Sequence, residues 1–142
     1  MARQSATPKP ASPSRPRRRF TLDQANSTLP LVKRIVADIV QCHTNVSKLH
    51  KRLEGVSGKE QQSVQGELEK TIESLQEYVD ELADVGCELK DFPTGLVDFI
   101  GRHQGRDVCL CWKLGEEKIE FWHEMQTGVA GRQSITTLHE SE

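Results

Sequence analysis

Apolar residues recur along this chain with two different periods, and the change falls at Gly86. Upstream, Val32, Ile35, Val36, Ile39, Val40, Val46, Leu49 and Leu53 return at spacings of three and four, tracing one helical face for about seven turns. Gly55-Val56-Ser57-Gly58 interrupts the pattern. Val64, Leu68, Ile72, Leu75, Val79 and Leu82 then repeat it up to Gly86, whose lack of a side chain suits the left-handed residue that closes a helix. The spacing predicts two long helices, about residues 29–54 and 59–85, folded back as an antiparallel hairpin with a coiled-coil-like seam. Glu67, Glu69, Lys70, Glu73, Glu77 and Glu81 read as its solvated outer face. Ahead of it, Thr21 and Gln24 have capping-box spacing and open a short helix to about residue 27. Ser27 or Thr28 caps the first long helix, whose first turn accommodates Pro30 because amides there lack intrahelical partners.

Beyond Gly86 the period shortens to two. Residues 87–89 suggest an edge strand, Pro93-Thr94-Gly95 a turn, residues 96–100 a strand and residues 101–106 another turn. Val108, Leu110 and Trp112 alternate with Cys109, Cys111 and Lys113; Ile119, Phe121 and His123 alternate with Glu120, Trp122 and Glu124. With Leu114-Gly115-Glu116-Glu117 between them, the two runs read as a β-hairpin. Pairing Trp112 with Ile119 sets Leu110 beside Phe121, Cys109 beside Trp122 and Val108 beside His123. In that register Phe121 and His123 join the face laid on the helices. Trp122 and the two cysteines lie on the other, where they need a cover: the C-terminal loop, a ligand or a second subunit. Gly128 and Gly131 make the last segment a loop, anchored by Ile135 and Leu138. The expected fold class is α+β, a long antiparallel helical hairpin packed on a small antiparallel β-sheet.

Composition divides the chain once more. Residues 1–19 are rich in Pro, Ser and Arg and carry six basic groups and no acid. This reads as a disordered leader, offering at most a weak electrostatic contact to a polyanion. Residues 20–142 form the expected single domain, which holds 13 basic and 21 acidic groups and so does not look built for nucleic acid. No apolar run approaches the ~20 residues that span a bilayer, and no signal core is present, so no membrane contact and a cytoplasmic location are expected. The four cysteines lack the paired short spacings of a zinc knuckle and read as reduced, mostly buried residues.

The chemistry-bearing residues collect near the C-terminus. His123 and Glu124 are adjacent on a strand and point to opposite faces unless a bulge intervenes. Asp98 is the nearest carboxylate for His123, and Arg132, after Gly128 and Gly131, could hold an anion. The ligand-binding candidates are therefore Asp98, Trp122, His123, Glu124 and Arg132. No catalytic residue is assigned, and with no closed ligand set neither a metal nor a cofactor is expected.

The runs FTLDQANSTLPLVKRIVADI, CELKDFPTGLVDF and CWKLGEEKIEFWHEMQTGVAGRQSI resemble an uncharacterised bacterial family, domain of unknown function 2203, over residues 20–135. The WHE and GRQ groups are the most specific part. The family offers no established activity, so no role is carried over; the resemblance implies a small cytoplasmic bacterial protein. Two functions compete. The favoured one is a non-enzymatic binding or interaction module that forms a homodimer through the hairpin or the Trp122 face, its small-molecule ligand unknown. The alternative is a metal- or cofactor-binding protein, or an enzyme, centred on His123 and Asp98 with Cys111.

Overall fold

The structure, a computed structural model, describes residues 18–141; residues 1–17 of the expected leader lie outside the described residues. Thr21 opens helix α1 (Leu22–Leu53). The Gln24 amide donates to its hydroxyl and the Thr21 amide donates to the Gln24 side chain, completing the capping box. The helix does not restart at Ser27 or Thr28 as expected: one continuous helix carries Pro30 inside it. Ala25 and Leu29 before the proline and Val32 and Val36 after it lie on one buried stripe. Burying that unbroken stripe offsets the single backbone hydrogen bond that proline removes.

Helix α2 (Gly58–Val85) ends as expected at Gly86, whose φ of 111° only glycine adopts without strain. The two helices pack as the expected hairpin. Leu49, Val64 and Leu68 form a small apolar cluster at its tip, while Ile35, Val36, Ile39 and Leu82 join the main core against the sheet. Ile72, expected on the seam, is 38% exposed; inward contact follows Leu68, Leu75 and Leu82 and leaves Ile72 on the flank. Among the described residues no helix is long and apolar enough to cross a membrane.

The sheet is a five-stranded antiparallel meander: β1 (Glu88–Asp91), β2 (Leu96–His103), β3 (Arg106–Lys113), β4 (Phe121–Glu124) and β5 (Gln133–Ser134). The loop expected at 101–106 shrinks to a two-residue hairpin turn in which Gln104 and Gly105 have φ of 49° and 82°. Gly95 lets the β1–β2 turn press on α1: at φ 71°, a Cβ there would sit 2.8 Å from Val36 Cγ1. Order also begins earlier than expected. Arg19 bridges to Ile100 and pairs with Asp107, and the Arg18 guanidinium lies 4.4 Å from the centre of the Phe20 ring.

The β3–β4 register differs by one residue from the expected one. Cys109 faces His123, Leu110 faces Trp122 and Cys111 faces Phe121. A slip of one turns every side chain of β4 over. Trp122 therefore joins the helix-facing core with Phe99 and Leu110, whereas Phe121 and His123 lie on the far face. The loop sets this register. The Trp112 indole donates to the Glu116 carbonyl at 2.8 Å, and the Ile119 amide donates 2.9 Å to Asn26 Oδ1 on α1. Ile119 is thus held in the core but outside the ladder, and β4 begins two residues later.

Trp122 also has its cover within the chain. Its indole donates to Thr137 Oγ1 at 2.9 Å, its ring lies 4.4 Å from that of His103, and Ile135 and Leu138 pack on the core beside it. The reason for expecting a second subunit over Trp122 is thereby removed.

Candidate functional site

One face of the sheet is closed by the helices. The other has no second layer among the described residues, and a cleft of about 700 Å³ lies over it. Asp98 and Ile100 from β2, Cys109 from β3 and His123 from β4 contribute to its floor; Lys90, Lys113, Met125, Val129 and Arg132 stand around it. Strand alternation produces this grouping. Asp98 is directly opposite Cys111, Ile100 opposite Cys109, and Cys109 opposite His123, so these side chains project from the same side.

At the floor, His123 Nε2 lies 3.2 Å from Asp98 Oδ1, and the two residues are only 2% and 4% exposed. His123 Nδ1 is 2.8 Å from the Glu124 backbone carbonyl. The Asp98 carboxylate also lies near the Cys109 and Cys111 thiols, close enough for its charge to act on both. Burial, reinforced by the charge of Asp98, pushes the Cys109 thiol up to about 12 and that of Cys111 up to about 11; Arg132 partly counters the second shift. At neutral pH both are protonated donors, not nucleophilic thiolates. Cys109 Sγ touches Met125 Sδ at 3.6 Å. Asp98, Cys111 and His123 each offer a ligand atom, and those atoms lie within 4.8 Å of one another.

Arg132 fixes the wall. Its guanidinium stacks 4.1 Å above the Phe121 ring centre and reaches Glu116 Oε2 at 3.1 Å, and its Nε is buried without a partner among the described residues. Of the five candidates, Asp98, His123 and Arg132 meet at the cleft. Trp122 is in the core on the other side of the sheet. The Glu124 carboxylate pairs with Arg106 at 2.6 Å, which holds it below the usual carboxylate range; Glu124 serves the site through its carbonyl alone. The ligand-binding candidates do not include Ile100, Cys109 or Lys113, and Cys111 enters only through the metal-binding alternative. Their signal was in the alternation: residues two apart on a strand share a face, so Asp98 brings Ile100 with it and Cys111 brings Lys113.

The model of a family described as an uncharacterized conserved protein, DUF2203, matches residues 18–135. The chain belongs to the DUF2203 family. That span begins at Arg18, where the described order begins, and contains the whole cleft floor together with Arg132. No match is found among curated proteins or among solved structures. The family description carries no activity, so the chemistry of this DUF2203 chain must be argued from its own residues.

Proposed function

We propose that this DUF2203 protein is a small-molecule-binding module that takes an anionic ligand, a carboxylate or phosphate, in the cleft on the open sheet face. One observation carries the reading. A sheet face without a second layer is ordinarily covered in solvated residues, yet this one presents Ile100, Cys109 and a hydrogen-bonded Asp98–His123 pair beneath a concave space. A concave, half-apolar surface with a few convergent polar groups is the usual form of a ligand site. The ligand class follows from the charges. Glu88 is paired with Lys90, Asp91 is bonded to Thr94, and Asp98 is occupied at the floor. The Lys113 ammonium has no ion pair among the described residues, and the Arg132 Nε still has a proton to donate. The protonated thiols favour binding over thiol catalysis.

The test is thermal unfolding against a panel of small carboxylates and phosphates, with Ile100→Trp as a plug for the cleft. A ligand at about a hundredfold excess over its Kd adds ~2.7 kcal/mol, a rise of several degrees in Tm for a domain of this size. At least one panel member is expected to give this rise, to lose it in Ile100→Trp and to give less in Lys113→Ala. A panel without effect, or a rise that survives the plug, refutes the proposal.

A further inference from the structure

From the arrangement of three side chains at the cleft floor, we infer that Asp98, Cys111 and His123 form a site for a borderline-soft divalent metal ion of the Zn2+ type.

The backbone fixes the tautomer of His123. The Glu124 carbonyl can only accept, so His123 Nδ1, 2.8 Å away, carries a proton and donates it. Nε2 then has either a second proton or a bare lone pair directed at Asp98 Oδ1, 3.2 Å away. A lone pair facing an ionised carboxylate is repulsive, so a cation belongs between the two atoms. A proton would satisfy them as a buried imidazolium–carboxylate pair. The third donor is what favours a metal. Cys111, directly opposite Asp98 on the neighbouring strand, brings Sγ to within 4.8 Å of the other two ligand atoms. A shared proton makes no use of it.

The distances agree with such an ion. Two ligands at Zn–N and Zn–O lengths of roughly 2.0–2.1 Å span a tetrahedral edge of about 3.3 Å, close to the observed 3.2 Å. The sulfur reaches its edge of roughly 3.5 Å by closing little more than an ångström at most from the 4.8 Å bound. Binding displaces the proton between Nε2 and Oδ1 and converts the Cys111 thiol to a thiolate; both protons leave to solvent. One carboxylate and one thiolate then neutralise the dication, so the filled site is uncharged at a position where Cys111 is fully buried. The Arg132 charge beside Cys111 is itself matched by Glu116.

Donation of the second imidazole nitrogen to a backbone carbonyl is the support that metal-binding histidines ordinarily have. The mixed N, O, S set disfavours Mg2+ and Ca2+, which take oxygen. The three ligands lie on successive strands β2, β3 and β4, so the sheet holds them in place. Asp98 and His123 both line the cleft, and a three-ligand ion has a fourth position for the anionic ligand. In that respect alone the inference rests on the binding function proposed above.

The test uses the full chain, purified without an affinity tag, kept reduced and stripped with a chelator before titration with Co2+. One equivalent is expected to bind and to give a thiolate-to-cobalt charge-transfer absorption that Zn2+ abolishes and Mg2+ leaves alone. Cys109→Ser should keep the absorption and Cys111→Ser should lose it, both being close to isosteric. His123→Gln and Asp98→Asn should each weaken binding at least about 100-fold, since even outer-shell partners are worth ~10–100-fold. Absence of Co2+ binding, or an absorption that persists in Cys111→Ser, overturns the inference. If cobalt fails while an anion still raises Tm through the cleft, the metal is wrong and the binding function stands. If cobalt binds and no anion acts, the reverse holds.

Discussion

Val97, Phe99, Val108, Leu110 and Trp112 on the helix-facing side of the sheet are all 0% exposed. One residue further along the same strands, Asp98, Cys109 and Cys111 are 4%, 5% and 0% exposed. These two sets of residues are about equally dry, and they are dry for different reasons. The first is filled by apolar contact with α1 and α2, and a Cβ at Gly101 would already lie 2.8 Å from Leu110. The second is closed by partners: Asp98 bonds His123, Met125 touches Cys109 and Arg132 lies over Phe121, with about 700 Å³ of cleft beside them. Low exposure alone therefore does not mark a core. What separates core from site is whether the buried groups are apolar and filled around, or polar and next to space.

The largest test of that contrast is a pair of truncations on β4. Trp122→Ala removes a core indole and should cost ~3–5 kcal/mol, whereas Phe121→Ala, half-buried on the open face, should cost less than half as much; urea midpoints measure both. Equal costs, or the reverse order, would return β4 to the register expected from the alternation. An enlargement pair sharpens the same point. Gly101→Ala adds one methyl to the filled face and should cost ~1–3 kcal/mol by overpacking. Ile100→Trp adds far more volume next door and should cost under ~1 kcal/mol, because it enters the cleft.

Each face also buries a histidine. His103, on the core side against Trp122, accepts the His139 amide on Nδ1 at 3.0 Å. Its pKa is lowered, first by burial and then by the charges of Arg106 and His139, with Glu124 opposing. A depressed histidine pKa means that the native state favours the neutral ring. Its contribution is then present in full above the unfolded value of ~6.5 and is lost as pH falls through the lower folded one. Wild type should thus lose stability relative to His103→Gln between about pH 7.5 and 5, with exchange protection lost first at the His139 and Gln104 amides. A stability difference that is flat with pH would show that His103 does not titrate against the fold. The smallest effect is expected at Arg106→Ala. The Arg106–Glu124 pair is largely solvated, so its loss should barely move the midpoint, and less still at high salt.

The helical hairpin was legible because its signals are local. The Thr21–Gln24 box, the apolar stripe and Gly86 each act within a turn or two of chain. Pro30 misled because a local rule, that proline belongs in a helix's first turn, met a stripe whose burial extends across it. The hairpin partners β3 and β4 were legible as strands but not in register. Alternation predicts two faces equally well in either phase, and the phase was set by the Trp112–Glu116 and Ile119–Asn26 hydrogen bonds, the second from a helix about ninety positions away. The same phase decided the fates of Trp122 and His123.

The sequence by itself determined the α+β class, the two long helices, the contrast between a basic first nineteen residues and an acidic remainder, and the concentration of chemistry in the last third of the chain. Periodicity, capping and charge are properties of neighbouring residues, so no folded partner is needed to read them. Only the tertiary structure decided which face of β4 met the helices, that the C-terminal segment covers Trp122, and that Asp98, Cys111 and His123 converge. Those outcomes depend on loop path and strand register, where a shift of one residue changes every contact and alters almost nothing in the local pattern.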